Sequence, residues 1–264
     1  MTFSAYSMTK SYSKRTVLLV MSIFTLLSCR PKEQPYVSYT DTVEVNGQSL
    51  FYAVEGKGKP IVLLHGNGGS HNDLETTMRQ LAQAGYLVYG LDSRGQGANA
   101  PLTEYHYADM AEDTYQFIRQ LRLDKPAVFG WSDGGIVALM TEVMHPATCS
   151  LIVTSGANTT CQGALDPDIF AQIFGAPDDE RTPLVQMMYV EPNMTTEELQ
   201  TIQCPALICA GEHDLILEEH TRQIAAAIPH ATVRIFEGAD HGSHIWHNRL
   251  MGDAIIDFLQ EQKY

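Results

Sequence analysis

One serine in this sequence lies in a pattern that is typical of nucleophilic catalysis. Ser132 is the centre of FGWSDGG (residues 129–135), which contains Gly-x-Ser-x-Gly between a predicted strand and a predicted helix. A sharp strand-to-helix turn lifts the serine hydroxyl out of a sheet, and glycines at 130 and 134 avoid collisions with neighbouring backbone. The helix also directs its positive N-terminus at the serine, where negative charge develops during acyl transfer. The pattern therefore predicts that Ser132 is a nucleophile.

A serine nucleophile needs a general base and an acid that orients the base, and both are present after later apolar segments. Asp214 ends the sequence Gly-Glu-His-Asp, and His241 stands in Asp-His-Gly. Neutral His241 would take the Ser132 proton and return it to the leaving group, while Asp214 would hold the imidazole in the required tautomer. Glu212 is the rival candidate for the acid. The three groups are far apart in the sequence, so their meeting depends on the fold.

A metal site is the main competing interpretation for the histidine-rich residues 241–247. His241, His244 and His247 are spaced three residues apart, and three imidazoles can bind zinc. His241 already has a role as the base, however, and the residues Gly242 and Ser243 indicate a loop that enters a helix. We therefore predict no metal ligands here and interpret the two other histidines as packing or solvent-facing groups.

Apolar and helix-like segments alternate along the chain, and this alternation predicts how the catalytic residues are held. Asn46-Gly47 joins two strand-like runs and is a strong hairpin signal. The other predicted strands are short, continuous apolar runs, as in strands buried on both faces of a parallel sheet, at 61–64, 87–91, 127–129, 151–154, 206–210 and 233–236. The predicted helices are at 74–84, 110–121, 136–144, 218–227 and 251–260. This order predicts an α/β fold, with a mostly parallel sheet that is covered by helices on both faces.

The segment 159–203 breaks this alternation. It contains four prolines and no convincing strand, and it is too long to be a plain connection between two strands. We predict that it is an inserted lid of short helices that shapes a substrate pocket. Trp131, Met187, Met188 and Tyr189 are the candidates to line that pocket, with ordinary core packing as the alternative for each.

With these features in place, residues 43–258 resemble the α/β-hydrolase family. The sequence His-Gly-Asn-Gly-Gly at 65–69 follows a predicted strand and is similar to the oxyanion-hole loop of that family. The resemblance implies a mostly parallel, eight-stranded sheet with helices on both faces. It also implies that the backbone amides of Asn67 and Asp133 are the two donors to the oxyanion, a task that needs two N–H groups aimed at one oxygen.

A narrower resemblance follows from Gly-Trp-Ser-Asp-Gly-Gly together with Ser-Gly-Ala-Asn at 155–158. Both are similar to the serine hydrolase branch that contains valacyclovir hydrolase (biphenyl hydrolase-like protein). In that branch the aspartate after the nucleophile is associated with the amino group of amino-acid esters, which implies that Asp133 binds a substrate ammonium. The alternative is that Asp133 only favours the start of a helix, because a negative charge there interacts well with the helix dipole.

Several functions are excluded by residue type. Haloalkane dehalogenases and epoxide hydrolases need an aspartate nucleophile, and position 132 is serine. No Gly-x-Gly-x-x-Gly or Gly-Lys-Ser/Thr sequence indicates a nucleotide cofactor, so we expect none. A formal net charge of -14 argues against nucleic-acid binding. A serine hydrolase of small esters, thioesters or lactones is the leading interpretation. A non-catalytic binding protein on the same scaffold, or an envelope acyltransferase or peptidase, remains as the alternative.

The N-terminal residues are typical of export. Basic residues precede an uncharged apolar run of twelve residues at 16–27, which matches a signal peptide and is short for a membrane span. Leu-Leu-Ser-Cys at 26–29 resembles the lipobox of bacterial lipoproteins, in which the cysteine is lipidated. We predict a signal peptide at 1–28, a lipidated Cys29 with a tether at 29–40, and a hydrolase domain at 41–264 that is lipid-anchored in the bacterial cell envelope. The alternative is an uncleaved membrane anchor or an ordinary secretory signal.

The remaining cysteines include one candidate disulfide pair. Cys149 precedes Ser155 by six residues, and Cys204 precedes Ala210 by six residues. If these two segments pair as parallel strands in that register, the two cysteines face each other across ~5 Å and can be bridged in an oxidising compartment. The alternative is four small buried thiols.

Overall fold

An eight-stranded sheet forms the centre of the computed structural model, which describes Met1 and residues 35–264. The spatial order is β1-β2-β4-β3-β5-β6-β7-β8. Strands β1 and β2 pair antiparallel, β2 and β4 pair antiparallel, and all other neighbours are parallel. The strands are β1 (Val37–Val45), β2 (Gln48–Gly56), β3 (Pro60–Leu64), β4 (Leu87–Leu91), β5 (Ala127–Trp131), β6 (Leu151–Ser155), β7 (Ala206–His213) and β8 (Ala231–Asp240). The predicted α/β fold with a mostly parallel, eight-stranded sheet is confirmed.

Helices connect the parallel strands, and one more helix follows the last strand. They are α1 (Glu75–Gln83), α2 (Tyr107–Gln120), α3 (Asp133–Met144), α4 (Pro167–Phe174), α5 (Pro183–Val190), α6 (Thr196–Leu199), α7 (Glu218–Ala227) and α8 (Leu250–Glu261). Single 3₁₀ turns occur at His71–Leu74 and Asp178–Glu180. The segment predicted as a lid contains α4, α5 and α6 between β6 and β7. Proline is the first residue of both α4 and α5, where its missing N–H costs no hydrogen bond.

The core consists of two apolar layers, one on each face of the sheet. Strand β3 shows the reason, because its successive side chains point to opposite faces. Val62 and Leu64 pack in the layer that α2 and α3 cover, while Ile61 and Leu63 pack in the layer that α1 and α8 cover. All four are almost fully buried. A strand with helices on both faces has no polar side, which explains the uninterrupted apolar run.

The strand register that the candidate disulfide assumed differs by one residue from the observed register. Ser155 lies opposite Cys209 and not opposite Ala210. Cys149 and Cys204 lie just before β6 and β7 and line one pocket together, but no disulfide joins them. The four cysteines of the described region, which are Cys149, Cys161, Cys204 and Cys209, are free thiols.

The N-terminal predictions fall largely outside the described residues. The signal peptide at 1–28, the lipidated Cys29 and the tether as far as residue 34 are among them. Strand β1 begins at Val37, so residues 37–40 of the predicted tether belong to the sheet instead. Between residues 35 and 264, no helix is both long and apolar enough to cross a membrane.

Candidate active site

Ser132 lies in the tight turn between β5 and α3. Its φ of 55° and ψ of -120° are an uncommon conformation for a residue with a side chain, and such strain is concentrated at functional sites. Neighbouring backbone packs tightly against the turn. A Cβ on Gly130 would lie 2.0 Å from the Gly134 carbonyl oxygen, and one on Gly134 would lie 2.1 Å from that of Leu64. Both glycines of the motif are therefore required by close packing.

Ser132, His241 and Asp214 form one hydrogen-bonded line. His241 Nε2 lies 2.9 Å from Ser132 Oγ, and His241 Nδ1 lies 2.6 Å from Asp214 Oδ1. With a neutral imidazole, the Ser132 hydroxyl donates to Nε2 and the Nδ1–H donates to the carboxylate. The three residues follow the carboxyl ends of β5, β7 and β8, which lie at the same edge of the sheet.

The carboxylate of Asp214 is held in its ionised form. Burial alone would raise its pKa, but the hydrogen bond from His241 and the backbone amides of Ile216 and Gly211 outweigh burial and lower the pKa. The rival acid Glu212 is exposed, and its carboxylate accepts from the Gly238 amide. Geometry thus favours Asp214 as the partner of His241.

Two backbone amides beside Ser132 are free to bind an oxyanion. Within residues 35–264, neither the Asn67 amide nor the Asp133 amide donates a hydrogen bond to a protein group, and both residues line the same cavity as Ser132. A hydrogen bond from the Gly68 amide to Gln96 Oε1, at 2.7 Å, holds the loop that carries Asn67. His65 is buried and accepts from the Ser93 amide, which gives it a structural role.

The side chain of Asp133 is buried at the cavity wall and already has two donors. Its Oδ1 accepts from the Tyr107 hydroxyl at 2.8 Å, and its Oδ2 accepts from Asn67 Nδ2 at 2.8 Å. Burial raises the pKa of this carboxyl group, and the two hydrogen bonds act against the rise. Tyr107 is absent from the sequence-based predictions, since a tyrosine at a helix start carries no local signal of such a contact.

The cavity above Ser132 has a volume of about 300 Å³. Asn67, Tyr107, Asp133 and Asn158 supply polar groups to its wall, and the remainder is largely apolar, with Cys161, Leu165, Ile173, Phe174, Met188, Leu215, Ile216, Trp131 and Trp246. Trp131 and Met188 therefore lie where the sequence predicts them. Met187 and Tyr189 do not line this cavity. Met187 packs in the main core, and Tyr189 packs against Phe170 and Phe174.

The histidines of the competing metal interpretation are not arranged as ligands. His244 is fully buried, with its Nε2 2.6 Å from Ser155 Oγ and its Nδ1 3.0 Å from the Asp240 carbonyl oxygen. In the described part of the chain, no group of three or more His, Cys, Asp or Glu side chains is placed to hold a metal ion.

Comparison with known proteins identifies the class. The family model of the α/β-hydrolase fold matches residues 59–174. An esterase from Exiguobacterium antarcticum has a structure that superposes with a TM-score of 0.68 at 22% identity, covering 82% of this chain and 97% of that chain. With the site described above, these findings define the protein as a hydrolase enzyme with the α/β-hydrolase fold.

Two curated relatives give the resemblance more detail. The human protein serine hydrolase BPHL is 26% identical over 249 residues, which cover 83% of this chain and 85% of that protein. Pimeloyl-[acyl-carrier protein] methyl ester esterase from Aliivibrio fischeri is 34% identical over 116 residues, which cover 44% of this chain and 43% of that protein. The similarity to BPHL extends over most of both chains.

Proposed function

We propose that this enzyme is a serine hydrolase that cleaves small acyl substrates, chiefly carboxylic esters, through an acyl-enzyme on Ser132. The observation that carries the proposal is the hydrogen-bonded line of Ser132, His241 and Asp214 at the floor of a cavity, beside two unpaired backbone amides. No single group of this arrangement is specific to serine hydrolases. Together, the groups supply a nucleophile, a base, an orienting acid and the oxyanion donors.

The reaction proceeds in two halves. His241 Nε2 takes the hydroxyl proton as Ser132 Oγ attacks the acyl carbon, and the oxyanion that forms accepts from the amides of Asn67 and Asp133. His241 then gives the proton to the leaving oxygen, the carbon–oxygen bond breaks, and the alcohol departs. Water repeats the sequence on the acyl-enzyme, which releases the acid and restores Ser132. Asp214 stays ionised and stabilises the imidazolium in both halves.

The cavity favours small acyl groups. Its volume of about 300 Å³ is at the lower end of the range for small-molecule sites. Its lining is largely apolar, and besides Ser132 and His241 the polar side chains are those of Asn67, Tyr107, Asp133 and Asn158. Such a wall binds a short hydrocarbon or aromatic group and leaves the carbonyl at the polar end. The ester named for the Aliivibrio fischeri relative is consistent with this chemistry.

A fluorophosphonate probe tests the proposal. We expect the wild-type protein to form a covalent adduct that peptide mass spectrometry assigns to Ser132, because the probe requires an activated serine hydroxyl and an oxyanion hole. Ser132→Ala should not be labelled. A folded wild-type protein that does not react would favour the alternative of a binding protein on this scaffold. Product analysis with and without an added alcohol or amine separates hydrolysis from acyl transfer.

The role of Asp133 in substrate choice has its own test. We propose that its carboxylate pairs with the ammonium of α-amino esters, since a carboxylate has about four acceptor sites and only two are occupied. A charge-assisted hydrogen bond of roughly 1.5–3 kcal/mol corresponds to about 10–100-fold in kcat/KM. In Asp133→Ala, kcat/KM for α-amino esters should therefore fall by about that factor more than kcat/KM for simple acetyl esters.

Tyr107→Phe is the matched control for that comparison, because it removes one donor to Asp133 and keeps the carboxylate. It should retain the preference for amino esters. If kcat/KM falls equally for both ester types in Asp133→Ala, Asp133 does not bind the substrate ammonium. Its role is then to favour the start of the helix.

We also propose that the mature protein is anchored in the bacterial cell envelope by lipid on Cys29. The support is the apolar run at 16–27 followed by Leu-Leu-Ser-Cys. Acyl chains contribute about 0.8 kcal/mol per buried methylene, so several chains on one cysteine anchor firmly. Labelling of bacterial cells with an alkyne fatty acid should tag the wild-type protein and should not tag Cys29→Ser. Equal tagging of both proteins would contradict the proposal.

A further inference from the structure

Ser155 and His244 form a buried polar pair that none of the reaction steps above uses. Neither side chain is accessible to solvent, and Ser155 Oγ lies 2.6 Å from His244 Nε2. The His244 ring stacks on Phe236 with ring centres 4.7 Å apart. Buried polar groups are costly unless they are hydrogen-bonded, so a pair in this position needs a reason beyond filling space.

The pair connects the two loops that carry the reacting atoms. On one side, the Ser155 carbonyl oxygen accepts from the Ser132 amide at 2.8 Å. On the other side, His244 Nδ1 lies 3.0 Å from the carbonyl oxygen of Asp240, the residue before His241. A continuous path of three hydrogen bonds therefore runs from the backbone of the nucleophile to the backbone next to the base.

The hydrogen-bond path fixes one proton of His244 on Nδ1, and burial favours the neutral ring. A carbonyl oxygen only accepts, so the neutral ring carries its proton on Nδ1 and accepts from the Ser155 hydroxyl at Nε2. Burial lowers the pKa of His244 and so favours the neutral ring. The charges that face it act in both directions, since Asp214 and Asp240 raise the pKa and His241 lowers it. A neutral ring here also avoids a second cation beside the imidazolium that forms on His241.

We propose that Ser155 and His244 are positioning residues that set the distance between His241 Nε2 and Ser132 Oγ. The inference rests on the proposed function of that site. Hydrogen-bonded partners hold reacting groups within a fraction of an ångström, and a displacement of about 1 Å can cost 100-fold in rate. The pair touches neither substrate nor reacting atoms, so its loss acts on the chemical step and not on substrate binding.

The experiment is a double-mutant cycle with Ser155→Ala, His244→Phe and the double variant, assayed with p-nitrophenyl acetate beside thermal unfolding. We expect each single variant to lower kcat by about 10–100-fold with KM within about twofold, because only the alignment of base and nucleophile changes. The double variant should be no slower than the slower single variant, since both break the same path.

A conservative variant and a control separate positioning from mere stability. His244→Asn can keep an N–H near the Nδ1 position, and it should recover part of the kcat that His244→Phe loses. Thr114→Val removes a similarly buried hydroxyl, which donates to the Met110 carbonyl oxygen in α2. It should lower the melting temperature and leave kcat within about twofold.

Two results would overturn the positioning role. One is a lower melting temperature with unchanged kcat in Ser155→Ala and His244→Phe, which gives the pair a structural role only. The other is strictly multiplicative losses in the cycle, which indicate two independent effects. If His244→Phe does not fold, the cycle of Ser155→Ala and His244→Asn replaces it. Failure of the proposed function is seen separately, as a wild-type rate that Ser132→Ala does not change.

Discussion

Ser132→Ala is expected to lower kcat for ester hydrolysis by about 10⁴–10⁶-fold, in line with losses at serine nucleophiles in other hydrolases. The methyl group that replaces the hydroxymethyl has no oxygen to form the acyl-enzyme, and His241 Nε2 loses its proton donor at 2.9 Å. The oxyanion amides remain, so a residual rate above that in water should persist. Steady-state rates with a short-chain p-nitrophenyl ester measure the loss.

Ser150→Ala is the matched control, because Ser150 lies just before the amino end of β6, at the opposite edge of the sheet from the site. Its rate should stay within about twofold of the wild-type rate. A fall of less than tenfold in Ser132→Ala, with folding intact, would show that another group attacks the substrate.

Asp214→Asn is expected to lower kcat by about 10⁴-fold, because an amide in this position no longer holds the imidazole tautomer or stabilises the imidazolium. The wild-type carboxylate is fully buried and lies 2.6 Å from His241 Nδ1, so no solvent replaces it. Since its pKa is lowered, the wild-type group remains ionised well below neutral pH, and the loss in the variant should persist across pH 6–9.

Glu212→Gln serves as the control for the choice of acid. Glu212 is two residues away and exposed, with its carboxylate bound to the Gly238 amide. We expect kcat within about twofold of wild type for this variant. The reverse pattern, with Glu212→Gln inactive and Asp214→Asn active, would transfer the role to Glu212 and contradict the observed hydrogen bond.

The helices and strands were predictable because their signals are local. An apolar run between turn residues indicates a buried strand, and the observed β4 (Leu87–Leu91) has the predicted bounds. Helix α7 (Glu218–Ala227) also has them. The segment around Ser132 was predictable for the same reason. Its two glycines are demanded by backbone contacts within a few residues and one neighbouring strand, so the requirement is visible as a short motif.

Register and side-chain neighbours were not predictable in the same way. A parallel strand buried on both faces is apolar throughout, so nothing in β6 or β7 distinguishes the true pairing of Ser155 with Cys209 from a pairing one residue away. Met187 and Met188 are adjacent and chemically identical, yet only Met188 faces the cavity, because helix α5 turns about 100° per residue.

The sequence by itself was enough to predict a hydrolase, since Ser132, Asp214 and His241 stand in recognisable contexts after predicted strands. Tertiary structure alone decided which groups surround them. Tyr107 reaches Asp133 across 26 positions, and His244 reaches Ser155 across 89. The physical reason is that a motif encodes contacts between near neighbours in the chain, whereas a hydrogen bond between distant segments exists only once the sheet has set their distance and direction.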